Sequence, residues 1–278
     1  MVRFRPSLPF LPCVLGHLRP RFALDVAHYH WLGQKTWHPL LSNISLEVRP
    51  GELTALVGSS GEGKSLLLQS ALGLLPENMR CRGEIVLDGQ VLGEAGKVNQ
   101  RGKALCYVPQ GVSALNPLIK VGPQLQRAAQ LSGVRLGLDA VAEQLKHYNL
   151  KPELVDEFPR MLSGGMAKRV LASCAALTPA RYILADEITS WLDDEHACQL
   201  LTHLKGFCLQ GRGILWVTHD LALAARFADR IAVLHQGELH ETLSAEQLRE
   251  NGGSPWLQSL WAALPEQQFF ARRVPEYA

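Results

Sequence analysis

A chain of 278 residues that is 47% hydrophobic can bury a large core, which suits one α/β domain or one with an inserted subdomain and excludes a disordered chain. With 28 basic against 26 acidic side chains the formal charge is only +2, too small a field for non-specific nucleic-acid binding, so no nucleic-acid partner is expected. The six cysteines form no C-x-x-C pair, which fits a reduced compartment. No apolar run reaches the ~18 residues of a membrane-spanning helix, so membrane attachment is expected only through a partner.

Residues 1–20 place Arg3 and Arg5 ahead of an apolar stretch that Pro9 and Pro12 interrupt. No clean small-residue cleavage site follows, so residues 1–21 read as a disordered extension or a mis-assigned upstream start. Residues 22–48 read as short extended runs with turns between them, ending on the period-two alternation Asn43-Ile44-Ser45-Leu46-Glu47-Val48 of a half-buried strand. Arg49-Pro50-Gly51 turns the chain into a buried strand at 53–57, a glycine-rich loop and a helix at 65–75 that Pro76 closes. A strand and turn at 83–90 and a strand at 104–108, stopped by Pro109, come next. Between 121 and 177 the composition shifts to helix formers and predicts an inserted helical subdomain. Apolar runs at 182–185, 213–218 and 231–234, separated by helical stretches, predict a mostly parallel sheet covered on both faces, and 235–238 a hairpin turn. No internal repeat is present, so one domain of this kind is expected.

Gly58-Ser59-Ser60-Gly61-Glu62-Gly63-Lys64-Ser65 fits G-x-x-x-x-G-K-[ST] between a strand and a helix. Its glycines let successive N–H groups point at phosphate oxygens while the following helix presents its positive dipole end. Lys64 is expected to bridge the β- and γ-phosphates of ATP and Ser65 to ligate Mg2+; the plainer alternative is a glycine-rich turn that binds nothing. Asp186 and Glu187 end the buried run Tyr182-Ile183-Leu184-Ala185, where parallel α/β sheets bind ligands. Asp186 is expected to hold Mg2+ through water and Glu187 to activate the attacking water, although such a pair alone is as often a helix cap or a solvated turn. Leu162-Ser163-Gly164-Gly165-Met166 precedes that strand; alone it could be an ordinary capped helix start, here near Met166.

Taken in this order, the motifs resemble those of ABC ATPases, with 162–166 similar to their LSGG signature. The resemblance makes Ser163 and the N–H groups of Gly164 and Gly165 a second anion site, Gln110 the Q-loop glutamine that contacts Mg2+ and water, His219 the switch histidine on the γ-phosphate, and Ser190-Trp191-Leu192-Asp193 the D-loop. It implies a P-loop NTPase core of ABC type, α/β, with an N-terminal antiparallel β subdomain and an inserted helical subdomain at about 111–177, the whole domain spanning 22–265 and a tail 266–278. It also implies a head-to-tail pair of ATPases, a paralogue or a second copy, with each ATP between one phosphate loop and the other chain's LSGG segment. Further implied partners are two transmembrane permease subunits and, indirectly, a periplasmic solute-binding protein, at the cytoplasmic face of the bacterial inner membrane. Met166, Ile188 and Trp191 depart from the usual Gln, Pro and small residue, but none removes a charge or a phosphate contact, and because Glu187 and His219 both stand a hydrolytic site is expected, with a degenerate, non-hydrolysing partner site as the alternative. Trp31 or Trp37, with Tyr29 as a third candidate, is expected to stack on adenine; His28 and His30 are not assigned a transition metal.

Gln110-Gly111-Val112-Ser113-Ala114-Leu115-Asn116-Pro117, the LSGGM variant and 254–265 resemble the dipeptide, oligopeptide and nickel importer ATPases. The short segment after Pro265 leans the cargo toward nickel or a metal chelate, with dipeptides or oligopeptides as the alternative, and an ABC-type subunit of a phosphonate-degrading complex as a further one. DNA-repair and translation ABC ATPases are disfavoured, since they carry coiled coils, zinc modules or a second ATPase domain.

Overall fold

The chain builds one ten-stranded sheet that is parallel over one half, and the apolar runs of the sequence are strands of that half. The computed structural model describes residues 21–30 and 36–264. Trp31, the expected 1–21 extension apart from Arg21, and the 266–278 tail therefore lie outside the described residues, as do the side chains of His28, Tyr29, His30 and Trp37.

In chain order the elements are β1 (Arg21–His30), β2 (Thr36–Glu47), β3 (Leu53–Val57), α1 (Lys64–Leu72), β4 (Met79–Leu87), β5 (Gln90–Val91), α2 (Glu94–Gln100) and β6 (Leu105–Val108). There follow α3 (Val121–Leu131), α4 (Leu138–His147), α5 (Gly164–Ala176), β7 (Tyr182–Asp186), α6 (Asp194–Leu209), β8 (Gly213–Thr218), α7 (Leu221–Phe227), β9 (Arg230–His235), β10 (Glu238–Ser244), α8 (Ala245–Arg249) and α9 (Pro255–Ala262). The strand order is β5-β4-β1-β2-β10-β9-β3-β8-β7-β6. β9, β3, β8, β7 and β6 are mutually parallel, while β1, β2, β4 and β5 pair antiparallel at the other end of the sheet.

Two cores follow from the period of two along these strands. Leu53, Ala55 and Val57 of β3, Ile183 and Ala185 of β7, and Ile214 and Trp216 of β8 face the cluster built with α3 to α9. Their neighbours Leu56, Leu184, Leu215 and Val217 face the opposite cluster, with Leu67, Leu68 and Leu72 of α1 and with Phe22, Leu24 and Ile44 of the antiparallel strands. The helix α1 is therefore clamped between the two kinds of sheet, directly behind the phosphate loop.

Register then fixes the site. Val57 pairs with Thr218, Asp186 with Val217, and Val108 with Ala185, so β3, β8, β7 and β6 all end at one edge. The segments that leave this edge begin at Gly58, His219, Glu187 and Pro109. Ligands of parallel sheets bind at such carboxyl ends.

Three expectations are corrected. The helix expected at 65–75 with Pro76 as its stop runs from Lys64 to Leu72, because Gly73 adopts φ 62 and donates its N–H to the carbonyls of Gln69 and Ser70, ending the helix before the proline is reached. The helix expected near Met166 starts at Gly164, because the Ser163 hydroxyl oxygen accepts from the Met166 N–H and caps it there. Residues 22–48 are not short runs but two long antiparallel strands, β1 and β2, whose register shifts between Leu24 and Ala27 absorb the irregular spacing.

Trp216 lies at the centre of the first core with no exposed surface, and its indole Nε1 has no hydrogen-bond partner among the described residues. Trp216→Ala should cost about 3–5 kcal/mol of unfolding free energy, as large-to-small changes in tight cores do. Trp216→Phe should cost clearly less, since it removes an unsatisfied donor along with volume. Equal losses for the two variants in denaturant titrations would show that the volume left empty does not set the cost.

Candidate functional site

The phosphate loop is shaped by close backbone approach. A Cβ on Gly58 would lie 2.5 Å from the Leu234 carbonyl oxygen, and Gly63, at φ +93, would place one 2.6 Å from Leu41 Cδ2. Only glycine fits either place. Lys64 is 4% exposed, and its Nζ donates to the carbonyl oxygens of Gly58 at 2.8 Å and Ser59 at 2.7 Å. Burial lowers its pKa, and the charges of Glu187, Asp186 and Glu62 work against that shift. Glu62 turns away from the loop: one oxygen lies 3.4 Å from His235 Nδ1 and the other accepts from the Gly237 N–H at 3.3 Å. His235 in turn meets the Trp256 ring at 4.7 Å, so α9 braces the loop from behind. Ser59, Ser60 and Gly61 complete the turn, with Gly61 at φ +86.

Asp186 ends β7 and is 2% exposed. Its Oδ1 accepts from the Ser65 hydroxyl at 2.9 Å and its Oδ2 from the Tyr107 hydroxyl at 3.1 Å. Burial raises the Asp186 pKa, and those two hydrogen bonds oppose the rise. A hydroxyl and a carboxylate in contact beside a phosphate loop are hard oxygen donors, the set that Mg2+ prefers, so the residues fit that ion.

Three further side chains meet one residue along. Glu187 Oε2 accepts from Gln110 Nε2 at 2.8 Å, and Glu187 Oε1 lies 3.5 Å from His219 Nδ1. Gln110, Glu187 and His219 leave the ends of β6, β7 and β8, so the register of three strands brings them together. The Glu187 backbone is left-handed at φ 44, and its carbonyl accepts from Lys168 Nζ at 2.7 Å. The arrangement holds a carboxylate, oriented by an amide and an imidazole, next to a buried lysine and a phosphate loop. That is the equipment for activating water against a phosphoryl group.

The Ser163-Gly164-Gly165 segment is in a different place. It lines a cavity of about 480 Å3 with Arg169, Trp191, Leu192, Asp193 and His196, and no residue of the phosphate loop reaches that cavity. Helix α5 starts there, with N–H groups free of intrahelical partners at its first turn. The chain thus carries two separate helix starts of this kind, at Lys64 and at Gly164.

Sequence reasoning missed Tyr107, Lys168 and the His235–Trp256 brace. Each contact joins residues far apart in the chain, and a Tyr within a strand or a Lys within a helix is ordinary in its local pattern.

The ABC transporter family model matches residues 41–190, more than half of the chain. The chain is 34% identical over 238 residues to the oligopeptide transport ATP-binding protein OppD of Lactococcus lactis subsp. cremoris, covering 81% of this chain and 70% of that protein. It is 32% identical over 261 residues to the glutathione import ATP-binding protein GsiA of Salmonella typhimurium, covering 87% of this chain but 41% of the relative, so it spans less than half of that protein's length. Among solved structures, it superposes with a TM-score of 0.69 on a dimeric ATP-binding cassette in a post-hydrolysis state bound to ADP and Pi, at 25% identity, covering 80% of this chain and 98% of that one.

Tyr107→Phe removes one of the two hydroxyls whose hydrogen bonds oppose the rise of the Asp186 pKa. The Asp186 pKa should then rise further, so the acid limb of the pH profile of ATP hydrolysis moves to higher pH, with about 1 kcal/mol of stability lost. An acid limb that stays in place would show that Asp186 does not set it.

Proposed function

This chain belongs to the ABC transporter family as one of its ATPases, and from that premise we propose that it hydrolyses ATP to energise uptake of short peptides through a bacterial importer. The observation that carries the chemistry is the meeting of Gln110 and His219 on the Glu187 carboxylate, beside Lys64 and the Ser65–Asp186 pair. The peptide cargo is favoured by relatives named for oligopeptide and glutathione import. Nickel, toward which the sequence leaned, finds no such support in those names.

In this reading the N–H groups of 58–65 and the start of α1 receive the phosphates, and Lys64 Nζ exchanges its carbonyl partners for β- and γ-phosphate oxygens. Ser65, Gln110 and Asp186 would hold Mg2+, which supplies neutralisation of phosphate charge when bound. Glu187 takes a proton from the attacking water, with Gln110 holding the carboxylate in place and His219 facing the γ-phosphate. Ser163, Gly164 and Gly165 serve the nucleotide of a second ATPase subunit, since within one chain they do not reach the phosphate loop. Donors on both sides of the γ-phosphate then require two chains.

Among the described residues no helix is long and apolar enough to cross a membrane. Leu118, 83% exposed, and Ile119 project from the stretch after Gln110, a surface suited to the two permease subunits. We place the chain peripherally at the cytoplasmic face of the inner membrane, with a solute-binding protein acting through the permeases.

The test is uptake of labelled dipeptides, glutathione and nickel in cells carrying the transporter with wild-type or Glu187→Gln chain. The variant should bind ATP normally, lose turnover by about 10²–10⁴-fold as expected for loss of a general base, and abolish peptide uptake. Uptake of nickel but not peptide would overturn the cargo, and unchanged turnover would overturn the role of Glu187.

A further inference from the structure

Lys168 is the fifth residue of α5 and is 2% exposed. Burial lowers its pKa, and the charges of Glu187 and Asp186 oppose that. Its Nζ donates to the backbone carbonyl of Glu187 at 2.7 Å and to Ser190 Oγ at 2.8 Å. The same carbonyl also accepts from Ser190 Oγ at 2.7 Å and from the Ser190 N–H at 3.2 Å. A buried ammonium is costly, and an apolar side chain of similar length would pack there more cheaply. The charge must therefore hold something.

What it holds is a strained bend. Glu187 at φ 44 and Trp191 at φ 68 are two Cβ-bearing residues in left-handed backbone within one five-residue segment. Such conformations persist only where the surroundings enforce them. Ile188 follows Glu187, so no proline ring stiffens the bend, and hydrogen bonds to the Glu187 carbonyl set its shape. That backbone angle decides where the Glu187 carboxylate points. The far end of the segment lies beside the same helix, since a Cβ on Gly165 would lie 3.2 Å from Leu192 Cδ2. Helix α5 thus runs along 187–192, and its first turn lines the cavity of Ser163, Gly164 and Gly165.

We propose that Lys168 is the positioning residue for Glu187: through the Glu187 carbonyl and Ser190 it holds the bend that aims the Glu187 carboxylate. The proposal rests on the catalytic role given to Glu187 above.

The experiment uses the full chain with Lys168→Met, of similar length and uncharged, and Lys168→Arg, which keeps donors. ATP affinity, measured by equilibrium binding, should stay within about twofold for both, because neither touches the phosphate loop. In Lys168→Met kcat should fall on the order of 100-fold, the scale of a displaced catalytic group, and Lys168→Arg should recover a large part of it. Amide exchange should rise in Lys168→Met for the peptide covering 187–192, and β8 should stay protected. A lower melting temperature with unchanged kcat would reduce Lys168 to a packing residue and overturn the proposal. If the wild-type chain shows no ATP hydrolysis, the assigned activity fails instead, and the exchange readout decides: unchanged protection of 187–192 overturns the positioning role.

Discussion

The ending of four parallel strands at a common edge is the constraint on which the rest depends. β6, β7, β8 and β3 share a register in which Val108, Asp186, Thr218 and Val57 finish together. Apart from the Ser163–Gly165 segment, every group assigned to phosphate chemistry leaves the sheet within two residues of one of those ends, or lies in the loop and first helical residues that follow β3. The register is itself enforced by burial, since strands with both faces covered cannot slip by one residue without exchanging the two cores. Packing therefore positions Gln110, Glu187 and His219 without any direct link between them in sequence.

The Ser65–Asp186 contact shows how far this goes. A hydroxyl at the start of α1 and a carboxylate at the end of β7 meet at 2.9 Å because α1 is pressed onto the sheet by Leu67, Leu68 and Leu72. Asp186 stays useful in a buried place because Ser65 and Tyr107 donate to it, which offsets part of the cost of burying charge. The Ser163–Gly165 helix start has no such contact with the phosphate loop, and that separation is what a shared, two-chain site requires.

Much of this was legible in the sequence, for reasons that differ by residue. The strands at 53–57 and 213–218 showed as apolar runs because burial on both faces leaves no alternation to misread. Gly58 to Ser65 showed because its glycines and Lys-Ser pair stand at fixed spacing between a strand and a helix, whereas Ser163 to Gly165 alone read as a capped helix start and needed the family resemblance. Gln110 and His219 needed the family resemblance, since a polar residue at a strand end carries no local mark. Lys168 and Tyr107 were invisible: their partners lie 19 and 79 residues away, and a tertiary hydrogen bond leaves no local pattern. The end of α1 was misplaced because Gly73 stops a helix as firmly as the more conspicuous Pro76.

The most direct test is a crystal structure of the Glu187→Gln chain with ATP and Mg2+. The account predicts the triphosphate on the N–H groups of 58–65, with Lys64 Nζ moved from the Gly58 and Ser59 carbonyls onto phosphate oxygens and a Ser163–Gly165 segment from another chain across the γ-phosphate. Nucleotide bound elsewhere, or Lys64 still on those carbonyls with ATP present, would contradict it.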